Sequence, residues 1–150
     1  MKINIYLKLS LVLVILLFLA SAVFGANITP VPKTLLAEMN QVEASGRKVN
    51  VPKGDNGAAR GPFQIHFKYW QDAIQYDKTI GGTYADCDNY DYSVKVVTAY
   101  LNRYGKAYLL SNNYEALARI HNGGPNGYKD TKTIHYWNKY KFGRTSFARG

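Results

Sequence analysis

The sequence predicts an α+β fold, mostly helical, with one small β element. Two observations carry this. Apolar residues recur at helical spacing in five segments between Lys33 and Trp137. Only Arg47 to Pro62 departs from that period, alternating briefly and then filling with turn-forming residues. No internal repeat or low-complexity linker divides the chain. Its 150 residues suit one domain able to bury a core once a leader is set aside.

The leader comes first. Lys2 and Lys8 form a basic start, Leu9 to Phe24 is an almost unbroken apolar run, and small residues follow. That is the three-part layout of a secretory signal peptide over residues 1–25. Cleavage after Ala22 and cleavage after Gly25 both fit. An uncleaved anchor is the alternative, but the run is short for a bilayer span. The working domain is then 26–150, and the protein is expected outside the cell.

Pro30 and Pro32 keep the next residues extended. A helix fits Lys33 to Ala44, with Leu35, Leu36, Met39 and Val42 on one face. Ser45-Gly46 stops it, Gly46 being suited to the left-handed conformation. Glu43 falls on the last turn, close to the core face. There the negative end of the helix dipole and partial burial both disfavour the ionised carboxyl. In the next stretch Lys48-Val49-Asn50-Val51 alternates like a short strand, and Gly54-Asp55-Asn56-Gly57 is a turn. Together they predict a small hairpin or β-like loop carrying Asp55. A second helix fits Phe63 to Tyr76, with Phe63, Phe67, Trp70 and Ile74 on one stripe. Gly81 to Tyr90 reads as a loop. A third helix fits Asp91 to Tyr104, capped by Gly105. A fourth fits Asn113 to His121, and a fifth starts at the N-cap Asp130 and carries Ile134 and Trp137. The tail from Gly143, with Arg144 and Arg149, is expected to fray.

Charge and cysteine content narrow the partners. The chain carries a net +9, which draws it to acidic surfaces such as bacterial walls or anionic lipid. The basic residues are scattered, which suits plain solubility, and no basic patch with a nucleic-acid fold signature is present. Nucleic acid is therefore not an expected partner. Cys87 is the only cysteine, so no intramolecular disulfide can form. Packing must hold the fold, helped by 13 Tyr, 6 Phe and 2 Trp. Cys87 reads as a small buried or loop residue, because no nucleophile motif surrounds it. With one thiol and His66, His121 and His135 far apart in sequence, no metal-ligand cluster and no cofactor are expected.

The chemistry-bearing residues concentrate in two blocks. Val42-Glu43-Ala44-Ser45-Gly46 leads to Gly54-Asp55-Asn56-Gly57-Ala58-Ala59-Arg60-Gly61-Pro62-Phe63-Gln64-Ile65, which sets two carboxylates on either side of a chain reversal. Glycosidic cleavage uses one protonated carboxyl and often a second, ionised one across the cleft. Each residue also has a plainer role open to it. Glu43 is a solvated glutamate on an amphipathic helix or an acid; Asp55 is a turn former or the second carboxylate. The second block is His121-Asn122-Gly123-Gly124-Pro125, where Gly123 alone would suffice as a helix cap.

With Phe63-Gln64-Ile65 and Tyr69-Trp70-x-Asp72, these blocks resemble the invertebrate-type lysozymes, within the wider lysozyme and lytic-transglycosylase superfamily. The resemblance runs from about Leu35 to about Tyr140 and marks the chain as a cysteine-poor relative. It implies a lysozyme-like fold with the hairpin beside an active-site cleft. It also implies Glu43 as acid and Asp55 as second carboxylate. Gln64 and Tyr69 become candidates for sugar hydroxyls, against a structural role, and Asp72 reads as a helix-surface or packing residue rather than a catalytic one. His121, Asn122 and Gly123 become a loop lining the cleft, with His121 and Asn122 contacting N-acetyl groups or holding Asp55. The implied function is a secreted muramidase acting on peptidoglycan, with chitin oligomers as a second substrate. Two alternatives stand beside it: a lytic transglycosylase using Glu43 alone, and a non-catalytic cationic antimicrobial protein. Isopeptide cleavage, known among relatives, finds no Ser-His or Ser-Lys set here.

Overall fold

The computed structural model describes residues 27–147. The leader expected over residues 1–25, with both cleavage points, and Arg149 lie outside the described residues. Helix α1 spans Lys33–Ala44 and buries Leu35, Leu36, Met39, Asn40 and Ala44. Pro32 precedes it, where a missing N–H does no harm. Its end is as the sequence predicts, with one refinement: Ser45 itself turns left-handed (φ 54°), followed by Gly46 (φ 75°). The Gly46 N–H closes back on the Asn40 carbonyl at 3.2 Å. Buried Asn40 then ties the helix to the next segment, donating to the carbonyls of Arg47 and Pro62, both at 2.9 Å. The bond to Pro62 is buried, where a carbonyl needs a partner from the protein.

The β element lies later than expected. Lys48 to Val51 forms no strand, and Val49 is 71% exposed. The strands are β1 (Ala59–Arg60) and β2 (Ile65–His66), antiparallel with Ala59 opposite His66 and Arg60 opposite Ile65. A bridge pairs Gly54 with Ala59, which closes the Asp55–Gly57 turn into a small β-bounded loop. The expected Asp55-bearing loop is therefore present, but pairing partners rather than local alternation make it. The tip between β1 and β2 requires glycine. Gly61 has φ 69°, and a Cβ there would lie 1.8 Å from the Cys87 carbonyl oxygen. Tyr84 fastens the hairpin from the same side, its hydroxyl lying 2.7 Å from the Ala58 carbonyl and 2.8 Å from that of Ile65.

Because residues 65–66 are strand, helix α2 begins at Phe67, not Phe63, and ends at Tyr76. Its buried side is Tyr69, Asp72 and Ala73. The stripe through Phe67 and Trp70 is therefore not the core face, and Phe67 is 50% exposed. Helix α3 runs Tyr90–Leu110, well past Gly105. Gly105 does not cap the helix; it bends it, with φ −130° and ψ 17°. The glycine makes room for the neighbouring helix, since a Cβ would sit 2.9 Å from a Leu117 methyl and 3.4 Å from one of Ile120. Helix α4 (Tyr114–Gly123) starts on the Asn113 side chain, which accepts the Ala116 N–H at 3.0 Å. Asp130 caps a one-turn 3-10 segment, Thr131–Thr133, which feeds α5 (Ile134–Phe147). The tail expected to fray from Gly143 is thus helical as far as Phe147.

Leu35, Met39, Phe63, Val96, Leu101 and Leu117 are fully buried where α1, α3, α4 and the hairpin meet. Each such side chain contributes about 1.5–3 kcal/mol of hydrophobic stabilisation. Aromatic packing adds to it: Tyr69 stacks on Tyr100 with centroids 3.5 Å apart, and Trp137 on Tyr140 at 4.7 Å. Asp72 packs α2 on α3, as expected. Lys68 pairs with its carboxylate at 2.9 Å and Arg103 donates to its backbone carbonyl at 2.7 Å. Cys87 is buried, and burial pushes its thiol up to about 12. A thiol held protonated is a poor nucleophile.

Candidate active site

Helix α1 delivers Glu43 on its last turn, with a side chain only 17% exposed. Helix α4 delivers His121 from the opposite side, with Nε2 3.5 Å from Glu43 Oε1. Behind it, His121 Nδ1 lies 3.0 Å from the Tyr69 hydroxyl. Burial above all, then Tyr100 and Glu43, pushes the Tyr69 phenol well up, so it stays protonated. With Tyr69 donating to Nδ1, a neutral His121 carries its proton on Nε2, facing Glu43. Tyr136 of α5 closes the back. Burial and then the adjacent Glu43 carboxyl push its phenol well up too. Glu43 therefore sits among a histidine and two protonated phenols contributed by three other helices.

Asp55 sits in contrasting surroundings. Its side chain is 69% exposed, and Oδ2 lies 2.8 Å from His66 Nε2. The ladder explains the meeting: Ala59 pairs with Gly54 on one side and with His66 on the other. The residue after Gly54 is thereby brought next to His66. The Gln64 amide locks the same loop, donating to the carbonyls of Gly61 at 3.0 Å and Pro52 at 3.2 Å. Gly54 is glycine for this reason, as a Cβ there would lie 2.1 Å from Gln64 Oε1.

Glu43, Asp55, Gln64, Tyr69, His121 and Asn122 line a single cleft of about 340 Å³, joined by Ala59 and His66. Six of the seven expected site residues are thus together, but several do different work. His121 does not hold Asp55; it faces Glu43, and His66 holds Asp55. The Tyr69 hydroxyl is engaged by His121, and the Gln64 amide by the loop, so both shape the cleft floor. His121, Asn122 and Gly123 belong to the last turn of α4, not to a loop. Gly123 does not line the cleft. Its missing Cβ admits Thr133, which would otherwise lie 2.4 Å away, and Gly124 is the cap (φ 81°). Exposed Asn122 is left at the wall of the cleft. Motif and spacing do not single out His66 or Tyr136. For His66 the strands are too short for alternation to give a signal, since β2 is only Ile65–His66 and Gln64 before it is in the left-handed region (φ 46°). For Tyr136 there is none short of the fold. A larger hollow of about 590 Å³ lies along Lys48–Val51 and Asp88–Asp91. Asp88 there is paired with Arg60, and among the described residues no carboxyl of that hollow faces a histidine.

The chain is similar to known proteins over most of its described length. The family model described as Destabilase matches residues 39–143, which includes every expected site residue. An invertebrate-type lysozyme of Ruditapes philippinarum is 36% identical over 117 residues, covering 75% of this chain and 83% of the relative. Lysozyme 1 of Crassostrea virginica is 36% identical over 99 residues, covering 65% of this chain; the match spans about half, 52%, of that longer relative. The crystal structure of Tapes japonica lysozyme superposes with a TM-score of 0.61 at 33% identity, covering 73% of this chain and 87% of that one. A family model matching most of the chain, and a relative covered over most of its length, lead to one conclusion: this chain belongs to the destabilase family, among the invertebrate-type lysozymes.

Proposed function

We propose that the protein is a secreted lysozyme that hydrolyses the β-1,4 bond between N-acetylmuramic acid and N-acetylglucosamine in peptidoglycan. The observation that carries this reading is the pair of carboxyls lining one cleft in unlike surroundings. Glu43 is largely buried among phenols and a histidine, whereas Asp55 is exposed and held by an imidazole. Two carboxyls so separated in environment can divide the acid and nucleophile roles. Glu43 protonates the leaving oxygen. Asp55 attacks the anomeric carbon, or stabilises the oxocarbenium-like transition state, and Glu43 then activates the incoming water. Asn122 offers an amide to the substrate's N-acetyl or hydroxyl groups.

The basic, apolar leader read over residues 1–25 supports export, and the net positive charge supports attraction to an anionic wall. An antibacterial role is consistent with both. The test is clearing of a purified cell-wall suspension by the mature protein, with product ends analysed. New reducing ends are the expected result. Anhydro-muramyl ends would replace the hydrolase with a transglycosylase, and walls left intact would leave a binding protein.

A further inference from the structure

We propose that His66 is a positioning residue for Asp55, holding its carboxylate in the one orientation useful to the reaction; this rests on the hydrolase reading above. Asp55 occupies an exposed 3-10 turn in the left-handed region (φ 47°), and its side chain is 69% exposed. A carboxylate so exposed would by itself sample several staggered rotamers. Among the described residues its one side-chain hydrogen bond is the 2.8 Å contact of Oδ2 with His66 Nε2. That bond engages one carboxylate oxygen and leaves Oδ1 for the sugar.

His66 is held through its backbone. Its strand is paired with β1, and the neighbouring Ile65 is buried in the core with its carbonyl bound to Tyr84. The backbone under the imidazole is therefore fixed, and the ring, itself 52% exposed, has only its own two side-chain torsions through which to meet and steady the carboxylate. Exposed pairs of this kind add little to stability. Orientation matters far more once substrate fills the cleft and excludes water, since a misplaced reacting group is costly in rate. The pair should accordingly be nearly silent in folding and audible in turnover.

The experiment compares His66→Ala, His66→Gln, Asp55→Asn and the His66→Ala/Asp55→Asn double variant on a soluble chitooligosaccharide or cell-wall fragment, with Glu43→Gln as control. His66→Ala is expected to lower kcat about 10-fold with little change in KM or Tm. His66→Gln, which still presents an N–H near the same place, should recover most of that loss. In the Asp55→Asn background, His66→Ala should have almost no further effect, because the group it aims is already gone. Unchanged kcat in His66→Ala would overturn the assignment. So would a loss confined to KM, a failure of His66→Gln to recover turnover, or a loss that adds in full to that of Asp55→Asn. The control separates the two possible failures. Cleavage that survives Glu43→Gln, or that yields anhydro-muramyl ends from cell-wall fragments, removes the hydrolase reading and this one together. Cleavage that yields new reducing ends, is lost in Glu43→Gln and is undiminished in His66→Ala removes this one alone.

Discussion

Replacing Glu43 by glutamine should abolish wall cleavage while leaving the fold as stable as before, or more so. The amide matches the carboxyl in size but cannot supply the leaving group's proton. General acid catalysis is worth roughly 10²- to 10⁴-fold, or about 3–5 kcal/mol of barrier, and turnover should fall by at least the lower figure. The stability half follows from the surroundings. A side chain 17% exposed is poorly hydrated, and an ionised group there gives up solvation that an amide does not need. The contact that the amide forgoes is weak, because 3.5 Å from His121 Nε2 lies beyond the usual hydrogen-bond range. The neighbouring phenols of Tyr69 and Tyr136, both raised in part by the Glu43 charge, are relieved of it. Turbidity clearing and thermal unfolding of the same preparation test both halves. More than a tenth of normal activity with normal unfolding would refute Glu43 as the acid. A large fall in Tm would refute the claim that its charge is not structural.

Further outcomes follow from the same geometry. Asp55→Asn should leave Tm unchanged, because asparagine tolerates the left-handed φ of 47°, while kcat drops severely and KM holds; near-normal turnover would return Asp55 to a turn former. Gly61→Ala must place a methyl 1.8 Å from the Cys87 carbonyl oxygen at a positive φ. It should destabilise by about 2–3 kcal/mol and lower Tm by roughly 5–15 °C, and a Tm within about 3 °C of normal would contradict it. Cys87 should resist thiol reagents until the protein is unfolded, and a reductant should leave activity and Tm unchanged; rapid labelling of the native protein would refute its burial. Stability should also fall on the alkaline side. The Cys87 thiol is lifted from 9.0 to about 12 by burial, so its contribution is complete below about pH 9 and is lost as pH rises through about 12. Buried Tyr69 and Tyr136, raised in the same direction, add to the loss, and a Tm that stays flat from about pH 8 to about pH 11 would speak against this.

The parts legible in the sequence are those with local causes. Helix α1 is bounded correctly at both ends because Pro32 and Ser45-Gly46 act within a single turn. The fourth helix is legible as an element, expected over Asn113 to His121 and found over Tyr114–Gly123, so its end runs two residues past the expected one. What stays hidden depends on distant chain. The apolar spacing of Phe63 and Phe67 imitates a helix, yet Phe63 and Ile65 are buried through a hairpin whose two-residue strands are too short to show alternation. Gly105 looks like a terminator because glycine often is one. Its actual role, admitting Leu117 and Ile120, is invisible until α4 is packed on α3. The site shows the same division. Glu43 and Asp55 stand out by motif, whereas the partners of each require tertiary structure: motif alone puts His121 near Asp55 and leaves His66 without a role.

The cleft is also joined across very unequal lengths of chain. Asp55 and His66 are 11 positions apart, whereas Tyr69 and His121 are 52 apart. Short loops close readily, and distant contacts wait for the intervening chain to order. During refolding, the arm that carries Asp55 can assemble while Glu43 still lacks the wall of helices around it. Recovery of bond cleavage should then lag behind formation of the hairpin, arriving only when α4 docks. The acid's surroundings are thus completed by contacts that close much longer stretches of chain than the one that sets Asp55 beside His66.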